Sequence, residues 1–137
     1  AIAKAKFYLF DVGVKHTLAQ ISVITPKTDR FGQAFEHFIA MEIRAWLDYR
    51  RINKSLSYWC STHGAEVDFI IGDDIALEVK TTQQIHDKHL KNLNLLMEEN
   101  ICKKYMIISF DKINRKAGQI DILHWETFLK RLWQDKI

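Results

Sequence analysis

The chain has 137 residues, of which 47% are hydrophobic and 27% charged, a globular composition that excludes a disordered chain. Its formal net charge of +3 permits contact with nucleic acid but does not by itself predict it. Cys60 and Cys102 are too few for a disulfide framework or a zinc site, and no apolar run approaches the roughly 20 residues that cross a bilayer. We therefore expect one cytoplasmic domain over residues 1–137 without membrane contact. Because the chain starts at Ala1, we expect it to be part of a longer protein.

The first third of the chain predicts one strand and two helices. The aromatic residues of 6–10 predict a strand, and Asp11 is the expected N-cap of a short helix over 14–20. A loop is predicted over 21–30, which contains the single proline. Residues 32–51 form the clearest amphipathic helix, because their apolar side chains recur at helical spacing. These side chains are Phe35, Phe38, Ile39, Ile43, Trp46 and Leu47.

Two glutamates of the long helix lie in or beside its apolar stripe. At 100° per residue, Glu36 falls inside the stripe and Glu42 near its edge. Glutamate is rarely buried unless it is paired. Glu36 could lie in the first turn, where its charge complements the helix dipole, or it could reach over the sheet toward Asp68 and Glu78. We favour the second interpretation for Glu36 but not for Glu42.

A strand predicted over 56–60 precedes a β-hairpin in the stretch 64–82, which reads GAEVDFIIGDDIALEVKTT. Two runs of alternating character, 66–71 and 75–80, are separated by the turn residues 72–74. In the first run, Val67, Phe69 and Ile71 are expected on one face. Both runs are also strongly apolar, so we expect both faces of this hairpin to be covered.

The predicted turn brings two carboxylates together. It sets three facing pairs: Ile71 with Ile75, Asp68 with Glu78, and Glu66 with Lys80. Asp68 and Glu78 would then lie roughly 5 Å apart, an arrangement that is destabilising for like charges. A shared proton or a divalent cation would compensate for this repulsion. The alternative is a solvated polar face on which Glu66 and Lys80 form an ordinary ion pair.

The remaining elements complete an α/β pattern. We predict a helix over 85–99, strands over 104–110 and 120–124, a loop over 111–118 and a closing helix over 125–133. Thr81 and Thr82 are expected to cap the first of these helices, and His86 and His89 to be surface residues. The stretch from the long helix to residue 110 reads α-β-β-β-α-β, which predicts helices packed around a mixed sheet.

Asp68, followed after nine residues by Glu78-Val79-Lys80, resembles the D…(E)xK core of the PD-(D/E)XK, restriction-endonuclease-like nuclease superfamily. Five segments together resemble one prokaryotic domain of unknown function, found C-terminal to the P-loop module of AAA+-type ATPases. They are KFYLFDVG, GQAFEHFIAMEI, LSYWCSTHGAEVDFII, ALEVKTT and IDILHWETFLKRLW. The resemblance implies a restriction-endonuclease-like fold and a C-terminal fragment of a longer ATPase chain. The chain itself contains no P-loop motif.

The resemblance also implies a metal-dependent DNA nuclease. Asp68, Glu78 and the main-chain carbonyl of Val79 would bind Mg²⁺ or Mn²⁺, and Glu36 would complete the site. Lys80 would orient or deprotonate the attacking water, or stabilise the transition state. The implied partners are nucleic acid and the ATPase module, and an oligomer is compatible with the sequence. Two other functions stay open: a catalytically silent nucleic-acid-binding domain, and a regulatory or oligomerisation domain of the ATPase.

Overall fold

The fold is a mixed α/β domain, seen in a computed structural model that describes residues 6–20 and 23–137. Its elements are α1 (Val12–Leu18), α2 (Asp29–Tyr49), β1 (Leu56–Cys60), β2 (Glu66–Ile71), β3 (Ile75–Val79), α3 (Asp87–Glu98), β4 (Lys104–Ser109), β5 (Arg115–Ala117), β6 (Ile120–His124) and α4 (Trp125–Trp133). The predicted α-β-β-β-α-β order from α2 to β4 is confirmed. Among the described residues, no helix combines the length and apolar character needed to cross a membrane.

The six strands form one mixed sheet in the order β1-β2-β3-β4-β6-β5. Strands β1, β2 and β3 are antiparallel neighbours, whereas β3, β4 and β6 run parallel. The parallel step from β3 to β4 requires a crossover, which α3 supplies. Every residue of β3 is buried, as expected for a strand covered on both faces.

Helices cover both faces of this sheet. On one face, the apolar stripe of α2 packs with α4 over side chains of β2, β3 and β4, including Phe69, Leu77 and Ile108. On the other, α3 packs over Val67 and Ile107. Val67 and Phe69 therefore lie on opposite faces, and the prediction that they share one face is wrong.

The physical reason is a β-bulge in β2. The pairing of β1 with β2 shifts between Ser57, which faces Ile70, and Trp59, which faces Val67. Two residues of β2, Asp68 and Phe69, thus lie opposite one residue of β1. The extra residue turns Val67 to the same face as Ile70.

Other predicted elements also differ from the structure. Residues 6–10 form no strand, and residues 115–117 of the predicted loop form β5 on the antiparallel edge beside β6. The predicted loop over 21–30 includes residues 21–22, which lie outside the described residues, and it ends earlier than predicted, at Thr28. The Thr28 hydroxyl accepts a hydrogen bond from the Phe31 amide, so α2 begins at Asp29.

The start of α3 also differs from the prediction. His86 is its N-cap: the His86 amide donates a 2.9 Å hydrogen bond to Nδ1 of His89, and the His89 amide donates one to the His86 carbonyl. The Thr82 hydroxyl accepts a hydrogen bond from the Gln84 amide in the preceding turn. The prediction that Thr81 and Thr82 cap this helix is therefore wrong.

Candidate active site

Asp68 lies in the bulge of β2, next to the end of β3. Its Oδ2 accepts a hydrogen bond of 2.8 Å from the Val79 amide, and its side chain is only 15% exposed. The predicted pairing of Ile71 with Ile75 is confirmed, but the ladder ends at Phe69 with Leu77. Asp68 therefore contacts the neighbouring strand through its carboxylate, beyond the last ladder pair.

Glu78 supplies a buried carboxylate whose two oxygens differ. Oε1 lies 2.6 Å from Nζ of Lys80, whereas Oε2 is buried and has no hydrogen-bond partner among the described residues. A buried acceptor without a partner loses its hydration without replacement, which is costly for a charged group. A cation or a proton at Oε2 would remove this cost.

The ion pair between Glu66 and Lys80, which the alternative interpretation of the hairpin required, is absent from the described residues. Lys80 pairs with Glu78 instead, and Glu66 Oε2 lies 3.8 Å from Nζ of Lys6. The reason is the bulge, because it ends the regular alternation on which the predicted register depended.

Burial raises the pKa values of the two central carboxyl groups, and repulsion by neighbouring carboxylates adds to the rise for Asp68. For Asp68, burial first and then the negative charges of Glu78 and Glu36 raise the pKa to about 7, although the Val79 amide and Lys6 oppose this. Burial also raises the pKa of Glu78, against the lowering effect of Lys80. The two groups therefore gain from a neighbouring cation.

Lys80 is held in its charged form. Burial disfavours its ammonium, but the carboxylates of Glu78, Asp68 and Glu36 outweigh that effect and raise the pKa of Lys80. A permanently charged lysine beside two carboxylates can attract an anion or orient water. It is poorly suited to take up a proton.

Glu36 reaches the site from α2, as predicted. Its Oε1 accepts a 2.6 Å hydrogen bond from the Tyr8 hydroxyl and lies 3.6 Å from Nζ of Lys6. Its charge raises the pKa of Asp68, and the pKa of Tyr8 rises well above its ordinary value through burial and the Glu36 hydrogen bond. Glu42, which we did not favour, instead accepts a hydrogen bond from the Trp133 indole.

Sequence reasoning missed Lys6 and Tyr8, which we had placed in a predicted strand. Both belong to a segment without regular structure that lies over the site. His37 contributes to its position, because Nε2 of this buried histidine hydrogen-bonds the Leu9 carbonyl. The available signal was the spacing of the two polar groups in KFY. In an extended segment, Lys6 and Tyr8 lie on one side and Phe7 on the other.

The oxygen donors suit Mg²⁺ or Mn²⁺ in kind but are not gathered around a single point. Mg²⁺ prefers a few carboxylate oxygens together with water, and Asp68, Glu78 and Glu36 supply such oxygens. The unpartnered Oε2 of Glu78 is one free ligand atom. Within residues 6–20 and 23–137, however, no three His, Cys, Asp or Glu side chains are close enough to hold a metal ion. The carboxylates would have to move closer together to bind one.

A family model described as Domain of unknown function (DUF4143) matches residues 31–128, well over half of the chain. The chain belongs to this family. The region matched to DUF4143 runs from α2 into α4 and contains Glu36, Asp68, Glu78 and Lys80. Neither the curated proteins nor the solved structures yield a match. The description of the DUF4143 family assigns no activity, so the geometry of the site has to indicate the function.

Several basic residues of this DUF4143 chain outside the site are paired with acidic neighbours. Arg44 pairs with Asp48, Arg50 with Asp135, Lys54 with Asp74, Arg115 with Asp111, and Lys116 with Asp121. Exposed ion pairs of this kind are typical of a solvated surface. Such paired charges do not by themselves predict DNA binding.

Proposed function

We propose that this chain is a divalent-metal-dependent phosphodiesterase domain of the PD-(D/E)XK, restriction-endonuclease-like superfamily. In this proposal it cleaves DNA and works as one part of an AAA+-type ATPase. The observation that carries the proposal is the Glu78 carboxylate, buried with one oxygen paired to Lys80 and the other without a partner among the described residues. Such an oxygen beside a second buried carboxylate, Asp68, is what a hard cation needs.

Four groups would hold Mg²⁺ or Mn²⁺: the carboxylates of Asp68 and Glu78, the main-chain carbonyl of Val79, and the carboxylate of Glu36. When bound, the ion supplies positive charge at the scissile phosphate and acidifies a water molecule. The Val79 amide fixes the orientation of Asp68 through its 2.8 Å hydrogen bond. Val79 would therefore contribute both of its main-chain groups to the site: the amide orients Asp68, and the carbonyl would bind the ion.

Lys80 has an electrostatic role in this proposal. Its ammonium is kept charged by Glu78, and its side chain is 35% exposed, so it can meet a phosphate without leaving the site. A positive charge placed there offsets the negative charge that develops on the phosphate in the transition state. Of the roles that the sequence left open, the raised pKa of Lys80 favours charge stabilisation and orientation of water over deprotonation.

The proposed DNA substrate and ATPase partner rest on the sequence rather than on the geometry of the site. They follow from the resemblance of five segments to a domain that accompanies P-loop modules, and the net charge of +3 is compatible with a polyanionic substrate. The geometry of the carboxylates supports the reaction itself, hydrolysis of a phosphodiester.

A second candidate function is a catalytically silent nucleic-acid-binding or regulatory domain of the same ATPase. The observation that favours it is that, among the described residues, no three acidic, histidine or cysteine side chains already lie close enough together to hold a metal ion. Lys80 and Lys6 already neutralise much of the charge of Glu78, Asp68 and Glu36. A domain that had lost metal binding could keep its carboxylates in this way.

Cleavage of labelled DNA separates the two candidates. We expect the chain to cut single- or double-stranded DNA with Mg²⁺ or Mn²⁺, and Glu78→Gln to lose that activity because one ligand oxygen is replaced. Glu98→Gln is the matched control, since it makes the same change on the exposed surface of α3 and should cut normally. Salt-sensitive DNA binding without cleavage under either ion would support the silent domain instead.

A further inference from the structure

Lys6 holds together three carboxylates around the candidate site. Its Nζ lies 3.6 Å from Glu36 Oε1, 3.8 Å from Glu66 Oε2 and 3.8 Å from Asp68 Oδ1. The same ammonium lies 4.9 Å from the centroid of the Tyr58 ring, in a cation–π contact. One lysine therefore links α2 and β2, the two elements that supply Glu36 and Asp68.

The segment that carries this lysine, residues 6–10, is called the strap below. Its polar side chains face the site and two of its apolar side chains face solvent. The Lys6 side chain is 26% exposed and Tyr8 donates a hydrogen bond to Glu36, whereas Phe7 and Phe10 are 92% and 81% exposed. Polar contacts with site carboxylates, rather than burial of these phenylalanines, hold the first part of the strap in place.

The strap also separates two cavities. One, of about 260 Å³, is lined by Asp68 and Tyr58, and the other, of about 210 Å³, by Glu36. Lys6 and Tyr8 line both cavities and so form the wall between them. Withdrawal of the strap would join the cavities into one cleft with Asp68 at one end and Glu36 at the other.

We propose that the strap is an autoinhibitory device in which Lys6 is an internal cation that competes with a divalent ion for Asp68 and Glu36. This inference rests on the proposed function, because it requires these carboxylates to bind a metal ion. Two cations a few ångströms apart repel each other strongly in a partly buried site, so binding of one favours release of the other. Release of Lys6 would free the carboxylates to move closer together and would open the cleft to a substrate.

Calorimetric titration with Mn²⁺ tests the competition directly. Removal of the Lys6 charge in Lys6→Met should tighten Mn²⁺ binding roughly tenfold, because one unit of opposing charge disappears. Lys6→Arg keeps the charge and should bind as the wild type does. Lys15→Met is the matched control. It removes the same charge from a lysine that lines the smaller cavity, but the three carboxylates pair with Lys6 and not with Lys15, so the affinity should be unchanged.

The outcomes separate this inference from the proposed function. If Lys6→Met binds Mn²⁺ no more tightly than the wild type while Asp68→Asn abolishes binding, the metal site stands and the strap does not compete with the ion. If none of these proteins binds Mn²⁺, Lys6→Met included, both proposals are overturned. Binding by Lys6→Met alone would support both.

Proteolysis provides a second measurement that requires no substitution. Chymotrypsin can cut at Phe7 and Phe10 in the strap, and cleavage at the exposed Tyr49 serves as an internal reference. Saturating Mn²⁺ should accelerate cleavage of the strap relative to the reference, since the released segment is more accessible. An unchanged ratio at saturating Mn²⁺ would contradict release.

Discussion

The Lys80 ammonium lies 2.6 Å from one oxygen of Glu78, while the other oxygen of that carboxylate is buried without a hydrogen-bond partner among the described residues. Lys80 thus provides a partner for only one of the two oxygens of this buried carboxylate. A structural ion pair would be expected to satisfy all of it, because a buried carboxylate is stable only when both oxygens have partners. The oxygen without a partner is the atom at which the fold leaves room for the proposed metal ion.

The first prediction concerns the coupling of this pair. Lys80→Met should lower the free energy of unfolding by about 1–3 kcal/mol, because it leaves Glu78 buried without its partner. Adding Glu78→Gln should recover part of that loss, since the amide carries no charge. Urea denaturation of the wild type, both single variants and the double variant measures the coupling. Strictly additive losses would show that the two side chains do not interact.

The second prediction is a pH dependence set by Asp68. Its pKa is about 7 in the folded protein and about 3.9 in an unfolded chain. Between about pH 4 and pH 7, Asp68 is protonated in the folded protein but ionised in the unfolded chain. The contribution of Asp68 to stability is therefore full below about pH 4 and is lost as pH rises through about 7.

Asp68→Asn removes this titration. It should be more stable than the wild type at pH 8, by up to about 4 kcal/mol, and the advantage should shrink toward pH 5. Urea denaturation at several pH values measures the difference between the two proteins. A difference that does not change between pH 5 and pH 8 would contradict the raised pKa.

The third prediction concerns the hydrogen bond from Tyr8 to Glu36. Tyr8→Phe removes a 2.6 Å bond to a carboxylate and should cost about 1–3 kcal/mol of unfolding free energy. Tyr49→Phe is a matched control at an exposed position and should cost less than about 0.5 kcal/mol. Equal effects of the two changes would show that the Tyr8 hydroxyl contributes little to holding the strap.

Much of the fold was predictable from local patterns. The ranges of β1, β6 and α4 match their predictions, and the stripe of α2 correctly identified the face that contains Glu36. The hairpin turn was predicted correctly for a physical reason. Gly72 has a φ of 59°, which favours glycine, and a Cβ there would lie 3.3 Å from the Lys54 side chain.

The remaining features depend on contacts between distant segments. The bulge at Asp68 arises from pairing with β1, and no pattern within residues 66–71 indicates an extra residue. Residues 6–10 have the aromatic composition of a strand, but no strand of the sheet pairs with them, and polar contacts with α2 and β2 hold them instead. Strand β5 has only three residues, of polar composition, and forms only because β6 lies beside it.

The central claim, that Asp68 and Glu78 bind a divalent cation, is tested most directly by thermal unfolding with increasing Mn²⁺ and Mg²⁺. A ligand at one hundred times its dissociation constant stabilises the folded state by about 2.7 kcal/mol. For a chain of this size we expect the melting temperature of the wild type to rise by roughly 5–15 °C. Asp68→Asn should show no such rise. An equal rise in Asp68→Asn, or no rise in either the wild type or Lys6→Met at any concentration of either ion, would contradict the claim.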